Sequence, residues 1–92
     1  MKSFGEYIRR VREEKELPLR KVAAALDIDT SILSKIERNE RVAIKEMIPI
    51  LAETLERPEK EIEIEFIQSV VESNLGDLKY LKDGLKEILK TL

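Results

Sequence analysis

Residues 19–39 read LRKVAAALDIDTSILSKIERN, and no other stretch constrains the fold as tightly. The spacing predicts two short helices joined by a tight turn. Ala23 falls where the helices cross, and a larger side chain there would push them apart. Asp27 follows four residues later, at the turn. Leu33 and Ile36 recur at helical spacing and face inward, with Val22, Leu26 and Ile28 opposite them. The outer face of the second helix is left with Thr30, Ser31, Ser34 and Lys35, all small or hydrogen-bonding. A generic helical hairpin needs apolar periodicity, but neither the alanine nor an outer face free of bulky apolar groups. In a helix-turn-helix, that face enters the DNA major groove.

The flanking sequence extends the helical pattern. Ser3 and Glu6 form a capping box that starts a helix at Ser3. Phe4, Ile8 and Val11 are its buried stripe, and Leu17-Pro18 ends it near Lys15. Pro18 suits the first turn of the next helix, which continues to Leu26. Asp27 tolerates a left-handed turn, Asp29 is an N-cap for a helix over 30–38, and Asn39 can close that helix left-handed. A further helix spans about 45–56, with its start slipping to about Ile48 so that Pro49 lies in the first turn. Pro58 opens the next segment, again at a first-turn position. Glu61 to Phe66 alternates like a strand, EIEIEF. A lone strand would lack a partner, so a helix over about 59–72 is expected, a strand pairing with its copy in a dimer being the alternative. A break is expected at 73–76, then a final helix over 77–91. Its seam, Leu78, Leu81, Leu85, Ile88 and Leu92, is spaced as about two heptads, with Gly84 off the seam.

Composition removes whole classes of function. Ninety-two residues, 42% of them hydrophobic and 39% charged, suit one small folded domain and not a membrane protein or a disordered chain. No apolar run approaches a bilayer span, and residues 1–15 carry charges throughout, unlike a signal peptide. A cytoplasmic protein is expected, without membrane association. The chain has no Cys and no His. There is therefore no thiolate or imidazole to hold a metal, and the commonest general base is missing. Neither a cofactor nor a metal is expected. The abundant carboxylates sit at solvated helical spacings beside Lys and Arg, so an enzyme is not expected.

The net charge of −2 sits badly with a DNA-binding role until it is divided. Residues 1–45 carry 11 Lys and Arg against 8 Asp and Glu, a balance of +3, and residues 46–92 carry 6 against 11, a balance of −5. Phosphate attraction is screened within roughly 10 Å at ordinary salt, so a basic face works on an acidic protein.

The segments IRRVREEKEL, KVAAALDIDTSILSKIERNERVA and ILAETL resemble the Xre-type helix-turn-helix regulators, which include lambdoid phage repressors and the controller proteins of restriction–modification operons. SKIERNER is the most specific part. The resemblance covers about the first two thirds of the chain. It implies an all-α chain: a lambda repressor-like five-helix DNA-binding domain, with an added C-terminal helix. Such proteins bind double-stranded DNA as homodimers on inverted repeats and regulate transcription. By position, the resemblance assigns base contacts to Thr30, Ser31, Ser34 and Lys35, and phosphate contacts to Arg38, Asn39 and Arg41. Arg12 and Glu37 match a largely buried ion pair joining the first helix to the reading helix, although their spacing alone reads as solvated surface charge. Four positions depart from the family pattern. Leu19 replaces a usual Gln, so that residue's contact is either lost or replaced by a phosphate contact from Arg20. Asp27 and Asn39 replace glycines that share their backbone tolerance. Asp29 replaces a Ser or Thr cap and brings a carboxylate toward DNA phosphate.

The expected division is a DNA-binding domain over 1–57 and a helical dimerisation extension over 58–92, with Ile62, Phe66, Val70, Leu78, Leu81, Leu85, Ile88 and Leu92 at the dimer surface. The competing reading is an antitoxin or other interaction module whose C-terminal helices bind a protein partner.

Overall fold

The computed structural model describes residues 3–92. Among them are six helices and no strand: α1 Phe4–Glu14, α2 Leu19–Ala25, α3 Thr30–Glu37, α4 Met47–Leu55, α5 Glu59–Leu75 and α6 Leu81–Thr91. The chain is all-α, as expected. The EIEIEF stretch lies within α5, because its alternate isoleucines are used at helical spacing. Ile62 enters the core, whereas Ile64 stays 44% exposed.

One core serves the first five helices. Phe4, Tyr7, Ile8 and Val11 of α1 meet Val22 and Ala23 of α2, Leu33 and Ile36 of α3, Leu51 and Leu55 of α4, and Ile62 of α5. Ala23, at the predicted crossing, is 1% exposed. Polar links fasten α5 to α1. The Phe4 amide, one of the unsatisfied donors of a helix start, donates to Ser69 Oγ at 3.1 Å. The Tyr7 hydroxyl donates to Glu61, and burial, reinforced by that carboxylate, pushes the phenol's pKa above its ordinary value. Phe66 meets Phe4 edge-on, with ring centroids 5.3 Å apart. Lys15 and Glu56 pair at 2.7 Å, and Arg57 reaches Glu14 at 3.3 Å.

The first half of α5 therefore belongs to the same core as the helices before it, and the expected boundary after Arg57 falls just ahead of that packing. Ile62, expected at a dimer surface, is wholly buried in its own chain and offers nothing to a second copy. Phe66 is half-buried against Phe4. The expected break at 73–76 is displaced. α5 runs through to Leu75, with Gly76 as its C-cap; Ser73 and Asn74 do not interrupt the ladder, and the Asn74 amide donates to the Val70 carbonyl at 2.8 Å. The turn lies at 77–80 instead. Leu78 thus sits off the last helix, and the five-residue seam is broken at its first member.

Pro18 and Pro58 stand one position earlier than expected, as N-caps with extended ψ of 152° and 135°. There the proline carbonyl accepts the first helical bond, from Lys21 N at 3.1 Å and from Glu61 N at 3.0 Å. Pro49 falls in the first turn of α4, where its missing donor costs nothing.

Helices α1 to α4 all end in the same device. In each, a non-glycine residue adopts positive φ: Glu16 (55°), Asp27 (56°), Asn39 (63°) and Glu56 (53°). Its amide and the next one bond back across the final turn. The pairs are Glu16 N to Glu13 O with Leu17 N to Arg12 O, Asp27 N to Ala24 O with Ile28 N to Ala23 O, Asn39 N to Ile36 O with Glu40 N to Lys35 O, and Glu56 N to Glu53 O with Arg57 N to Ala52 O. These are Schellman closures built without glycine. Asp and Asn carry the left-handed conformation more easily than Glu does. Glu16→Gly should accordingly stabilise the fold by roughly 1 kcal/mol, the left-handed penalty less the unfolded-state entropy that glycine adds. Thermal melting should show a rise of about 4–8 °C, and a fall would mean that Glu16 makes a favourable contact in solution.

Candidate nucleic-acid interface

α3 is held from below and open above. Its inward residues, Leu33 and Ile36, are 1% and 4% exposed. On the outer side Thr30, Ser31 and Lys35 are exposed, and Ser34 is half-buried. The face thus presents two hydroxyls and one ammonium to solvent, with a third hydroxyl set deeper. Hydroxyls take either hydrogen-bond role at a base edge, and an ammonium donates to guanine O6 or N7.

Asp29 is the N-cap of α3 by backbone alone. Its carbonyl accepts from Ile32 N at 3.0 Å and from Leu33 N at 3.2 Å, while its side chain makes no capping bond. The carboxylate is exposed beside the reading face.

Arg12 and Glu37 meet as a two-pronged pair. Nε donates to Oε2 at 2.7 Å and Nη2 to Oε1 at 2.9 Å, while Nη1 donates to the Leu17 carbonyl at 2.8 Å. The side chains are only 12% and 4% exposed, and the hydrogen bond to Glu37 raises the Arg12 pKa above its ordinary value. One guanidinium thereby ties α1 to α3 and to the α1–α2 turn, which fixes how α3 is presented. The Leu17 bond is a role that the sequence did not disclose.

Around α3 lie three arginines and one neutral amide side chain. Arg20, Arg38, Asn39 and Arg41 are all exposed. Arg38 pairs with Glu40, Nε to Oε2 at 3.3 Å, with both side chains about half exposed. Arg9 was missed from the sequence. It lines a shallow hollow with Arg12, Leu19, Ser34, Glu37 and Arg38, next to the reading face. Its position one turn before Arg12 on α1 was the available signal. Among the described residues, no group of acidic side chains has the arrangement of a metal site, and no helix is long and apolar enough to cross a membrane.

The open α3 face, braced by α1 and bordered by cations, defines a helix-turn-helix DNA-binding protein. A family model described as Helix-turn-helix matches residues 8–62. The chain belongs to that family, the Xre-type or lambda repressor-like helix-turn-helix proteins, and is a DNA-binding transcription regulator in the general sense. The match ends at Ile62, inside α5 and at its one fully buried residue. Neither the curated proteins nor the solved structures contain a match to this chain.

Proposed function

We propose that the chain is a repressor or operon controller that acts as a homodimer on an inverted repeat. In this reading Thr30, Ser31, Ser34 and Lys35 touch base edges, while Arg20, Arg38, Asn39 and Arg41 hold phosphates. The observation that carries it is the outer face of α3, which is free of bulky apolar groups and locked to α1 by the Arg12–Glu37 pair. A single small reading domain spans few base pairs, and doubling across a two-fold axis supplies the missing specificity. The two reading helices then lie about 34 Å apart, one turn of DNA. The second half of α5 and α6 are the part of the chain left to set that spacing. An interaction module that binds a different protein draws on the same C-terminal surface, and the oligomeric state of the pure chain separates the two readings.

Selection from a randomised DNA pool would supply the operator and its half-site spacing. On that operator, Lys35→Ala should relax preference at one position per half-site, at a cost of roughly 1–3 kcal/mol. Arg41→Ala should weaken binding to all sequences alike and make the salt dependence shallower. Equal losses of specific and non-specific affinity in both variants would overturn the division into base and phosphate roles.

A further inference from the structure

A cleft of about 100 Å³ lies where the start of α1, the end of α3 and the second half of α5 meet. Its floor is apolar. Phe4, Ile36 and Ala43 are 5%, 4% and 8% exposed, and Phe66 joins them from α5. Its mouth is polar, with Asn39 and Arg41 on one side and Ser69, Ser73 and Asn74 on the other. The α5 side of the mouth lies beyond residue 62, where the family match ends. The cleft therefore depends on a part of the chain that the matched family region does not supply.

Charge and size select what fits it. The chain carries 19 Asp and Glu, yet no carboxylate lines the cleft, and Arg41 is its one charged residue. Among the described residues no carboxylate pairs with Arg41, whereas Arg9, Arg10, Arg12, Arg38 and Arg57 are each paired. Ser69 Oγ accepts the Phe4 amide, which leaves its hydroxyl proton to donate. An anionic group at the mouth thus meets a guanidinium and a hydroxyl donor, with no like charge to repel it. A cavity of about 150 Å³ holds benzene, so this one takes a smaller apolar body, of about four or five carbons.

Resting on the reading that Arg41 holds a DNA phosphate, we propose that the cleft is an effector site for a short aliphatic carboxylate. The alkyl chain lies on Phe4, Ile36 and Phe66, and the carboxylate takes the Arg41 guanidinium. Arg41 then cannot also hold a phosphate, so carboxylate and operator exclude one another at that contact. Operator affinity falls as the carboxylate concentration rises, and by reciprocity bound operator weakens carboxylate binding.

The test is a proton–nitrogen NMR titration of the full-length chain with isovalerate, followed by operator binding in isovalerate and in sodium chloride of equal ionic strength. With about seven heavy atoms, isovalerate should bind with a dissociation constant of about 1 mM. It should shift the amides of Gly5, Ala43 and Ser69 to saturation. Isoamyl alcohol, which lacks the charge, and inorganic phosphate, which lacks the alkyl chain, should each bind at least about tenfold more weakly. At about ten times its dissociation constant, isovalerate should raise the operator dissociation constant about tenfold or more above the chloride control. Arg41→Gln, at an exposed position, should lose saturable binding of isovalerate. Ser73→Leu covers the mouth from a residue outside the DNA contacts. It should also lose isovalerate, yet bind operator like wild type and no longer respond to the carboxylate. Shifts that never saturate, or that isoamyl alcohol or phosphate reproduces equally, overturn the site. Saturable binding with operator affinity equal to the chloride control overturns the exclusion at Arg41 and leaves the DNA reading standing. A chain that selects no operator overturns the DNA reading and the exclusion together, and the titration alone then decides the site.

Discussion

Gly5→Ala should destabilise the fold by about 3 kcal/mol or more, at or above the top of the usual overpacking range. A methyl at this position would stand 1.9 Å from the Ile36 carbonyl oxygen, 2.9 Å from the Ile36 carbonyl carbon and 3.1 Å from the Glu37 carbonyl carbon. All three atoms are backbone, so no side chain can rotate away. α1 would have to withdraw from the end of α3 by more than an ångström, opening the core where Phe4, Ile8 and Ile36 meet. For a domain of this size the melting temperature should fall by roughly 12–24 °C. DNA binding should fall with it, because α1 also orients α3 through Arg12. Thermal melting beside wild type decides the matter. A near-native midpoint would mean that α1 and α3 are not in close contact at Gly5.

Arg12→Ala should cost about 3–5 kcal/mol, the usual consequence of stranding one member of a buried pair. Glu37 would be left 4% exposed with no counter-charge, and the Leu17 carbonyl would lose its donor. Arg10→Ala is the matched control. Arg10 also pairs with a glutamate, Glu14 at 2.8 Å, but both side chains are 47% exposed, and such helical surface pairs contribute about 0.5 kcal/mol or less. Chemical denaturation should therefore separate two arginine variants that lie two residues apart on α1. Arg12→Met combined with Glu37→Leu should recover much of the loss, since an apolar replacement strands no charge. Equal midpoints for Arg12→Ala and Arg10→Ala would show that the buried pair contributes no more than a surface one.

The reading helix was legible in the sequence because its determinants are local. Helical spacing of Leu33 and Ile36, an alanine at the crossing, and turn residues that tolerate positive φ at Asp27 and Asn39 all act within a few residues. The left-handed ends at Glu16 and Glu56 were not legible. Glutamate has no intrinsic preference for that conformation, and the closure of the turns around it imposes the backbone. The Ser73–Asn74 pair shows the converse. Both residues resemble a break, yet the hydrogen-bond ladder of α5 continues through them to Leu75.

Local sequence thus sufficed to define helices α1 to α4, the face of α3 that is left open and the half of the chain that is basic, because each depends on neighbours along the chain, whereas the end of α5 and the start of α6 were displaced. Folding in three dimensions settled which apolar residues find partners. Ile62 and Leu85 look alike in a helical pattern, but the first reaches the core between α1 and α4 and the second stays outside it, half-buried. The two glycines divide in the same way. Gly5 and Gly84 are equal in sequence, and only the distance to another helix makes the first indispensable to the single chain and leaves the second facing open space. Contacts between residues distant in sequence are set by the path of the whole backbone, which no local pattern encodes.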